Sequence, residues 1–513
     1  MKPIIRIKKI GGREYFYEVT PYYDPKTRRI RHKSKYLGKN VDGKPVRVRN
    51  KLPRRTYSYG EFLPFLRIAE ELKFEELLSR HLPDEKVRTI LTLAYNRAIR
   101  PLAFSHIKSW YEGTVLSKMF GNIPISSETL SHLMQALGSS DLPLEFSKGL
   151  IREVSTSSAL IYDITSLSSY SDLISLLEYG YNRDGMALPQ LNLSMTVDKK
   201  MGIPVMYDIY PGSIVDVSTL KNTIKKVEYC GVHNFVLILD RGFFSTPNIS
   251  ELLGSNISFV VGVPSRIKEA KRIISGIHKR INDPNKMQMY NNELIFVMPV
   301  KVGVGGSALN AYAFYNPTRE REEQDAFYKR LYGVVERLKT VKLTKWMSAK
   351  DVVEEVAGPL QQYIEWKEND ERIEVSIRAK AVAQRVNQMG KFILAYNGDF
   401  TWHEVLSMYR GRDIVEKGFE MLKNDISALP LNAQKTETVK GFIFLCFLAL
   451  ILRMRLLRMM QDTELSKNYT VDALLLELEK IKKVELSNNE MILTELTKKQ
   501  KDILARLGLE SFA

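Results

Sequence analysis

Two short apolar runs each close on an aspartate: residues 159–163 read ALIYD and residues 235–240 read FVLILD. No other feature constrains the fold as much. A run this short and rich in β-formers reads as a strand buried on both faces, and an acid that follows such a strand is not simply solvated. Further strands are expected at LNLSMTV (191–197), IPVMYDIY (203–210) and ISFVVGV (257–263). VSTLKNTIKKVEYCG (217–231) and ISELL (249–253) read as the helices between them. Three early strands followed by helix–strand units make an α/β sheet layer. A strand-end acid often caps the next turn. Two such ends on neighbouring strands instead converge at one edge, where open α/β sheets place ligands.

The order is interrupted between about residues 264 and 390. ELIFVMPV (293–300), ALNAYAFY (308–315) and RIEVSIRA (372–379) read as strands, with two helical stretches among them. This predicts a large α+β insertion, after which the sheet resumes at FILAY (392–396). Thr401 and Glu404 have the spacing of a capping box for the helix leading to Tyr409. The next stretch, YRGRDIVEKGFEMLK (409–423), reads as one helix. At about 100° per residue, Tyr409, Arg412, Glu416 and Lys423 share an arc of roughly 60°, beside the apolar stripe of Met408, Val415, Phe419 and Leu422. Asp413 and Glu420 fall close to Glu416 on the same wheel, so periodicity alone leaves three acids as candidates. The run GFIFLCFLALIL (441–452) is too short to span a bilayer and predicts a helix buried all round, with no membrane role. A strand pair near 484–496 and a helix, KKQKDILARLG, close the chain.

Charge points to a partner. The net charge is +17, and residues 1–60 hold 18 lysines and arginines against Glu14, Glu18, Asp24 and Asp42. Aromatics and β-formers interleave with those cations in REYFYEVTPYYDPKTRRIRHKSKYLGK, which predicts a small basic sheet rather than a tail. Such a patch supplies salt-dependent phosphate binding, so double-stranded DNA is the expected partner. Residues 61–150 read as helical, either as a helix-turn-helix-like reader of DNA ends or as a plain bundle. Two cysteines far apart, Cys230 and Cys446, argue against disulfides and zinc and fit a reducing cytoplasm. The opening MKPIIRIKKIGG lacks the apolar stretch of a signal peptide. The expected organisation is a basic β module (1–60), a helical DNA-binding or dimerisation region (61–150), a catalytic core in two parts (151–263 and 391–460) around an insertion domain (264–390), and a C-terminal region (461–513).

Asp163, Asp240 and a third acid such as Glu416, once close, repel one another unless a cation joins them. Oxygen ligands without a Cys or His cluster point to Mg²⁺, with Mn²⁺ as substitute, and two such ions suit phosphodiester cleavage. Arg412 and Lys423 are then placed to hold DNA phosphates, with Tyr409 and Arg241 as further DNA contacts.

The motifs LIYDITS around Asp163, LILDRGFFS around Asp240, and Tyr409, Arg412, Glu416 and Lys423 at the spacing Y-x2-R-x3-E-x6-K occur in this order. Together they resemble the DDE transposases of the insertion-sequence-four superfamily, with its YREK signature. The segment GYNRDGMALPQLNLSMTVDKKMGIPVMYDIYPGSIVDVSTL resembles the stretch that follows the first aspartate in these enzymes. The likeness covers about residues 158–458, and the chain looks nearest the branch with a basic, YLGK-containing amino terminus. It implies an RNase H-like fold with an insertion between the second aspartate and the glutamate, and Asp163, Asp240 and Glu416 as metal ligands. It also implies metal-dependent cleavage at terminal inverted repeats, joining of the 3′-OH to target DNA, and a homodimer that synapses two ends. The alternatives are a catalytically silent, transposase-derived DNA-binding protein and a different RNase H-like nuclease.

Overall fold

The computed structural model describes residues 2–46, 52–154, 159–169, 174–179, 188–214, 216–344, 346–369, 372–428 and 435–512. Part of the segment that carries the family resemblance, residues 180–187, lies outside them. The chain forms two compact units, each discontinuous in sequence. One comprises residues 1–63, 110–121 and 473–513; the other comprises 64–109 and 122–472.

The larger unit is built on a mixed nine-stranded sheet. At its centre, Ala159–Ser168, Val236–Leu239 and Ser258–Val263 run parallel to one another. Parallel strands covered on both faces must be apolar throughout, and Leu237, Ile238, Leu239, Val260 and Val261 are fully buried. Gln190–Asp198 and Ile203–Pro211 continue the sheet antiparallel on one side. The helices Asp216–Tyr229 and Thr246–Gly254 provide the connections into the two later parallel strands. Ser245 caps the second of these helices by accepting the Asn248 N–H.

On the other side, Lys391–Asn397 pairs antiparallel with Ser258–Val263 and, across its far edge, with Ser307–Tyr315. The strands Glu293–Val304 and Met287–Tyr290 complete the sheet. The early strands of the expected insertion therefore extend the central sheet, and the strand containing FILAY lies between them and the parallel core. Only the later part builds its own core: Phe327, Leu331, Val335 and Leu338 of the helix Pro317–Thr340 pack with Val353, Ile364 and Ile373. Ile364 and Ile373 belong to the hairpin Ile364–Asn369 with Arg372–Ile377.

The apolar run 441–452 lies in the helix Thr436–Asp462, and residues 443–452 are buried without a break. Against it pack the helices Ser127–Gly138 and Asp84–Ile99 and the strand Ile203–Pro211. Gly138 and Gly441 let two of these helices touch: a Cβ on Gly441 would strike the Met134 carbonyl, and one on Gly138 the Glu437 carbonyl. Arg453, fully buried on the same helix, donates to the Ala98 carbonyl and to Asp425 and Asp472. Among the described residues no helix is long and apolar enough to cross a membrane.

In the other unit, Ile4–Ile10, Arg13–Asp24, Arg29–Val41 and Lys44–Val46 form an antiparallel four-stranded sheet. Asp24 closes its second turn, accepting the Lys26 N–H and the Thr27 hydroxyl. A separate three-stranded sheet joins Pro53–Ser58 to Lys482–Leu486 and Met491–Leu493.

Candidate active site

Tyr162 pairs with Leu239 across the two parallel strands. One residue further along the chain from each come Asp163 and Asp240, so the two acids follow a pair of neighbouring strand positions. The sequence places both at strand ends, and the structure corrects this for Asp163. Its strand runs on to Ser168 because pairing with Gln190–Asp198, Asp163 opposite Met195, sustains it. The parallel neighbour stops at Leu239, and that opens the sheet beside Asp163. Both acids line one cleft of about 720 Å³, together with Arg241, Pro264 and Arg266. Asp163 is 7% exposed and accepts the Ile164 N–H at 2.8 Å.

The expected single helix over residues 409–423 is three pieces. The helix Trp402–Arg410 opens on the predicted capping box, Thr401 with Glu404. A second helix, Asp413–Glu420, follows, and Met421–Asp425 is a π turn. Between the first two the hydrogen bonding tightens: Arg412, Ile414 and Val415 donate to the carbonyls three residues back. Gly411, with its low helix propensity, marks the break. A uniform 100° step therefore does not describe the stripe. The second helix seats Val415 and Phe419 toward the Asp163 strand and its antiparallel neighbour, leaving Glu416 exposed on its outer side.

Arg412 joins the pieces. Its Nη1 lies 3.2 Å from Asp240 Oδ1 and its Nη2 lies 2.8 Å from Glu416 Oε1. The guanidinium also sits 5.6 Å from the centre of the Tyr409 ring, and its buried Nε has no hydrogen-bond partner among the described residues. Burial works against the charge of Arg412, but Asp240, Tyr409, Glu416 and Asp163 more than offset it, so the guanidinium holds its proton more tightly than usual. Tyr409 packs onto the backbone of the third parallel strand: a Cβ at Gly262 would collide with the phenol. Burial, then the charge of Asp240, pushes the Tyr409 hydroxyl up to about 12.

The structure thus brings Asp163, Asp240 and Arg241 into one cleft and ties Glu416 to it through Arg412. Lys423 lies on the π turn. Among the described residues no three acids, histidines or cysteines are close enough to hold a metal ion together. The adjacent pair Asp163 and Asp240 offers hard oxygen donors that fit a divalent cation, while Glu416 engages the guanidinium instead. Arg266 was not foreseen. It follows the parallel strand Ser258–Val263 at the sheet edge where Asp240 follows its own, and that shared position is the signal that finds it. Arg241 also lines a neighbouring cleft of about 340 Å³, with Tyr409, Arg412, Lys391 and Arg385.

No curated protein sequence matches the chain. Among solved structures, the chain is similar to piggyBac transposase in a cryo-EM synaptic complex with hairpin DNA, at 8% identity over 90% of this chain and 88% of that one, with a TM-score of 0.36. That likeness is too low to inform the site. The model of the transposase DDE domain matches residues 155–452, more than half of the chain, and the stretch includes both aspartates, Arg412 and Glu416. By that match, the chain belongs to the transposase DDE-domain family.

Proposed function

We propose that this transposase is an active member of the insertion-sequence-four superfamily. In this reading it binds the terminal inverted repeats of a mobile element, cleaves the phosphodiester and joins the freed 3′-OH to target DNA. The observation that carries the reading is the placement of Asp163 and Asp240 one residue beyond the Tyr162–Leu239 pair of two adjacent parallel strands, in one cleft, with Arg412 bridging Asp240 to Glu416. The family's reliance on divalent metal and the donor chemistry here support Asp163 and Asp240 as ligands, with Glu416 as the third. Bound Mg²⁺ or Mn²⁺, two ions per site, supplies activation of the attacking oxygen and neutralises charge on the leaving one. Arg412 then turns from Glu416 to the DNA phosphate, a second anion suited to its planar fork. Arg241, Lys423 and Tyr409 hold the same strand. The strand order, three antiparallel strands followed by two parallel ones reached through helices, supports an RNase H-like core. A homodimer on paired ends completes the proposal.

A catalytically silent DNA-binding protein is not favoured, since the family match spans both aspartates and the glutamate. Incubating the protein with labelled DNA bearing the ends that flank its own gene, in Mg²⁺ and in EDTA, separates the two. Metal-dependent nicking at the element boundary, absent in Asp240→Ala, is the expected result. End-specific binding with no cut in Mg²⁺ or Mn²⁺ would overturn it.

A further inference from the structure

The register of the amino-terminal sheet sorts its side chains onto two unlike faces. Alternate residues of a strand point to opposite sides. Arg6 lies opposite Tyr17 and Lys8 opposite Tyr15. Across the central strand, Tyr17 lies opposite Tyr36, and Tyr15 opposite Lys39 after a register shift. One face therefore carries Tyr15, Tyr17 and Tyr36 interleaved with Arg6, Lys8 and Lys39, with Tyr23 further along it. The contacts agree: the Tyr36 ring lies 5.5 Å from Tyr17 and 6.1 Å from Tyr15, and Lys8 Nζ sits 4.8 Å over the Tyr17 ring.

The acids go to the other face. The four strands hold only Glu14, Glu18 and Asp24, and all three fall on the side away from Tyr15, Tyr17 and Tyr36. Each has a partner there: the Asn40 amide donates to Glu14 at 2.8 Å, Lys35 lies 4.0 Å from Glu18, and Arg31 lies 3.1 Å from Asp24. The cations of the mixed face are thus partly compensated, whereas the strands put no carboxylate on the tyrosine face.

We propose that the tyrosine face is a stacking platform for unpaired nucleotides of single-stranded DNA, with Arg6, Lys8 and Lys39 holding its phosphates. A duplex would need only the cations. It hides the flat faces of its bases, so aromatic rings on an acid-free face add nothing to its binding. An unpaired strand exposes a π face at every nucleotide and stacks on such rings without regard to sequence. The absence of acids strengthens the attraction for the backbone. The proposal rests on the reading of the chain as a protein that acts on DNA, and assigns this surface a strand state.

The test is fluorescence anisotropy of the full-length protein with labelled oligo(dT) and with a blunt duplex of equal length, at one salt concentration. Tyr36→Ala and Tyr15→Ala should each weaken oligo(dT) binding between about fivefold and a hundredfold, the range that one base–aromatic stack supplies. Duplex binding should stay within about twofold. Tyr36→Phe should bind as the wild type does, and Tyr22→Ala, on the opposite face, should change nothing. Unaltered melting curves would show that the variants fold. Equal losses on oligo(dT) and duplex, or no loss on either, would overturn the platform. Tighter binding of oligo(U) than of oligo(dT) would overturn its assignment to DNA. Metal-dependent nicking persisting beside any of these overturning results would leave the transposase reading standing, so the two fail separately.

Discussion

The two compact units surround their carboxylates in opposite ways. At the sheet edge, Asp240 and Glu416 share the guanidinium of Arg412, and that cation is itself held charged by the acids around it. In the other unit, Glu61 is 4% exposed, its Oε2 has no hydrogen-bond partner among the described residues, and burial pushes its pKa from 4.5 to about 7. Lys482 and Ser58 pull the other way but do not overcome desolvation. At the sheet edge the carboxylates have a guanidinium as ion-pair partner, whereas Glu61 is driven toward the neutral acid. What differs is the depth of burial: Asp240 and Glu416 keep access to solvent beside Arg412, whereas Glu61 is nearly fully buried and the pull of Lys482 does not offset desolvation.

The contrast can be broken most forcefully at Asp240. Asp240→Ala removes one of the two adjacent oxygen donors, and end cleavage should fall by at least about a thousandfold, the scale of several kcal/mol of metal-supplied stabilisation. DNA binding, read by gel shift, should persist. Cleavage at the wild-type rate would remove Asp240 from the chemistry.

Glu61 gives the next largest effect, on stability. Its folded pKa is raised, so the folded chain keeps a proton that the unfolded chain releases. The contribution is fully present below about 4.5 and is lost as pH rises through about 7. Above that window the buried charge costs up to about 3 kcal/mol. Glu61→Gln should therefore raise the melting temperature at pH 8 and leave it nearly unchanged at pH 4.5. A variant that melts in parallel with the wild type across this range would show that Glu61 is not desolvated as described.

Arg412→Met sharpens the comparison by making the sheet edge resemble the surroundings of Glu61. Cleavage should drop between about tenfold and a hundredfold through loss of a phosphate contact. The rise in melting temperature on adding Mg²⁺ should exceed that of the wild type, because the metal then supplies the countercharge that Arg412 supplied. An equal rise would mean that Arg412 and the metal do not neutralise the same acids. The smallest effect is expected on the amino-terminal sheet. Lys33→Ala should lower the salt dependence of DNA binding by about one unit of slope and shift stability by less than about 0.5 kcal/mol.

Much of the fold was legible because it is local. The apolar runs that end in Asp163 and Asp240 became two of the central parallel strands, and Thr401 with Glu404 formed its capping box. Residues 443–452 were buried all round. In each case the signal is a residue type at a fixed spacing within one element, which the period of a strand or helix turns directly into position.

What tertiary structure alone decided is pairing and compensation. Asp163 sits within a strand rather than at its end because an antiparallel partner 32 residues away sustains it. The helix expected over 409–423 divides at Gly411, and Arg412, placed at that division, reaches not only Glu416 on the same helix face but also Asp240, far away in the chain. Pro53–Ser58 finds its neighbour in Lys482–Leu486, across most of the chain. The tyrosines of the amino-terminal sheet were visible as letters, but the register between two strands sets Tyr36 beside Tyr17, and a shift in that register brings Lys39 to the same face. The sequence by itself determined which segments become strands and helices and which residue types bear chemistry, since those follow from local periodicity. Which strands lie side by side, and which charge meets which, depends on free energies summed over residues far apart in the chain, and only the folded molecule decides it.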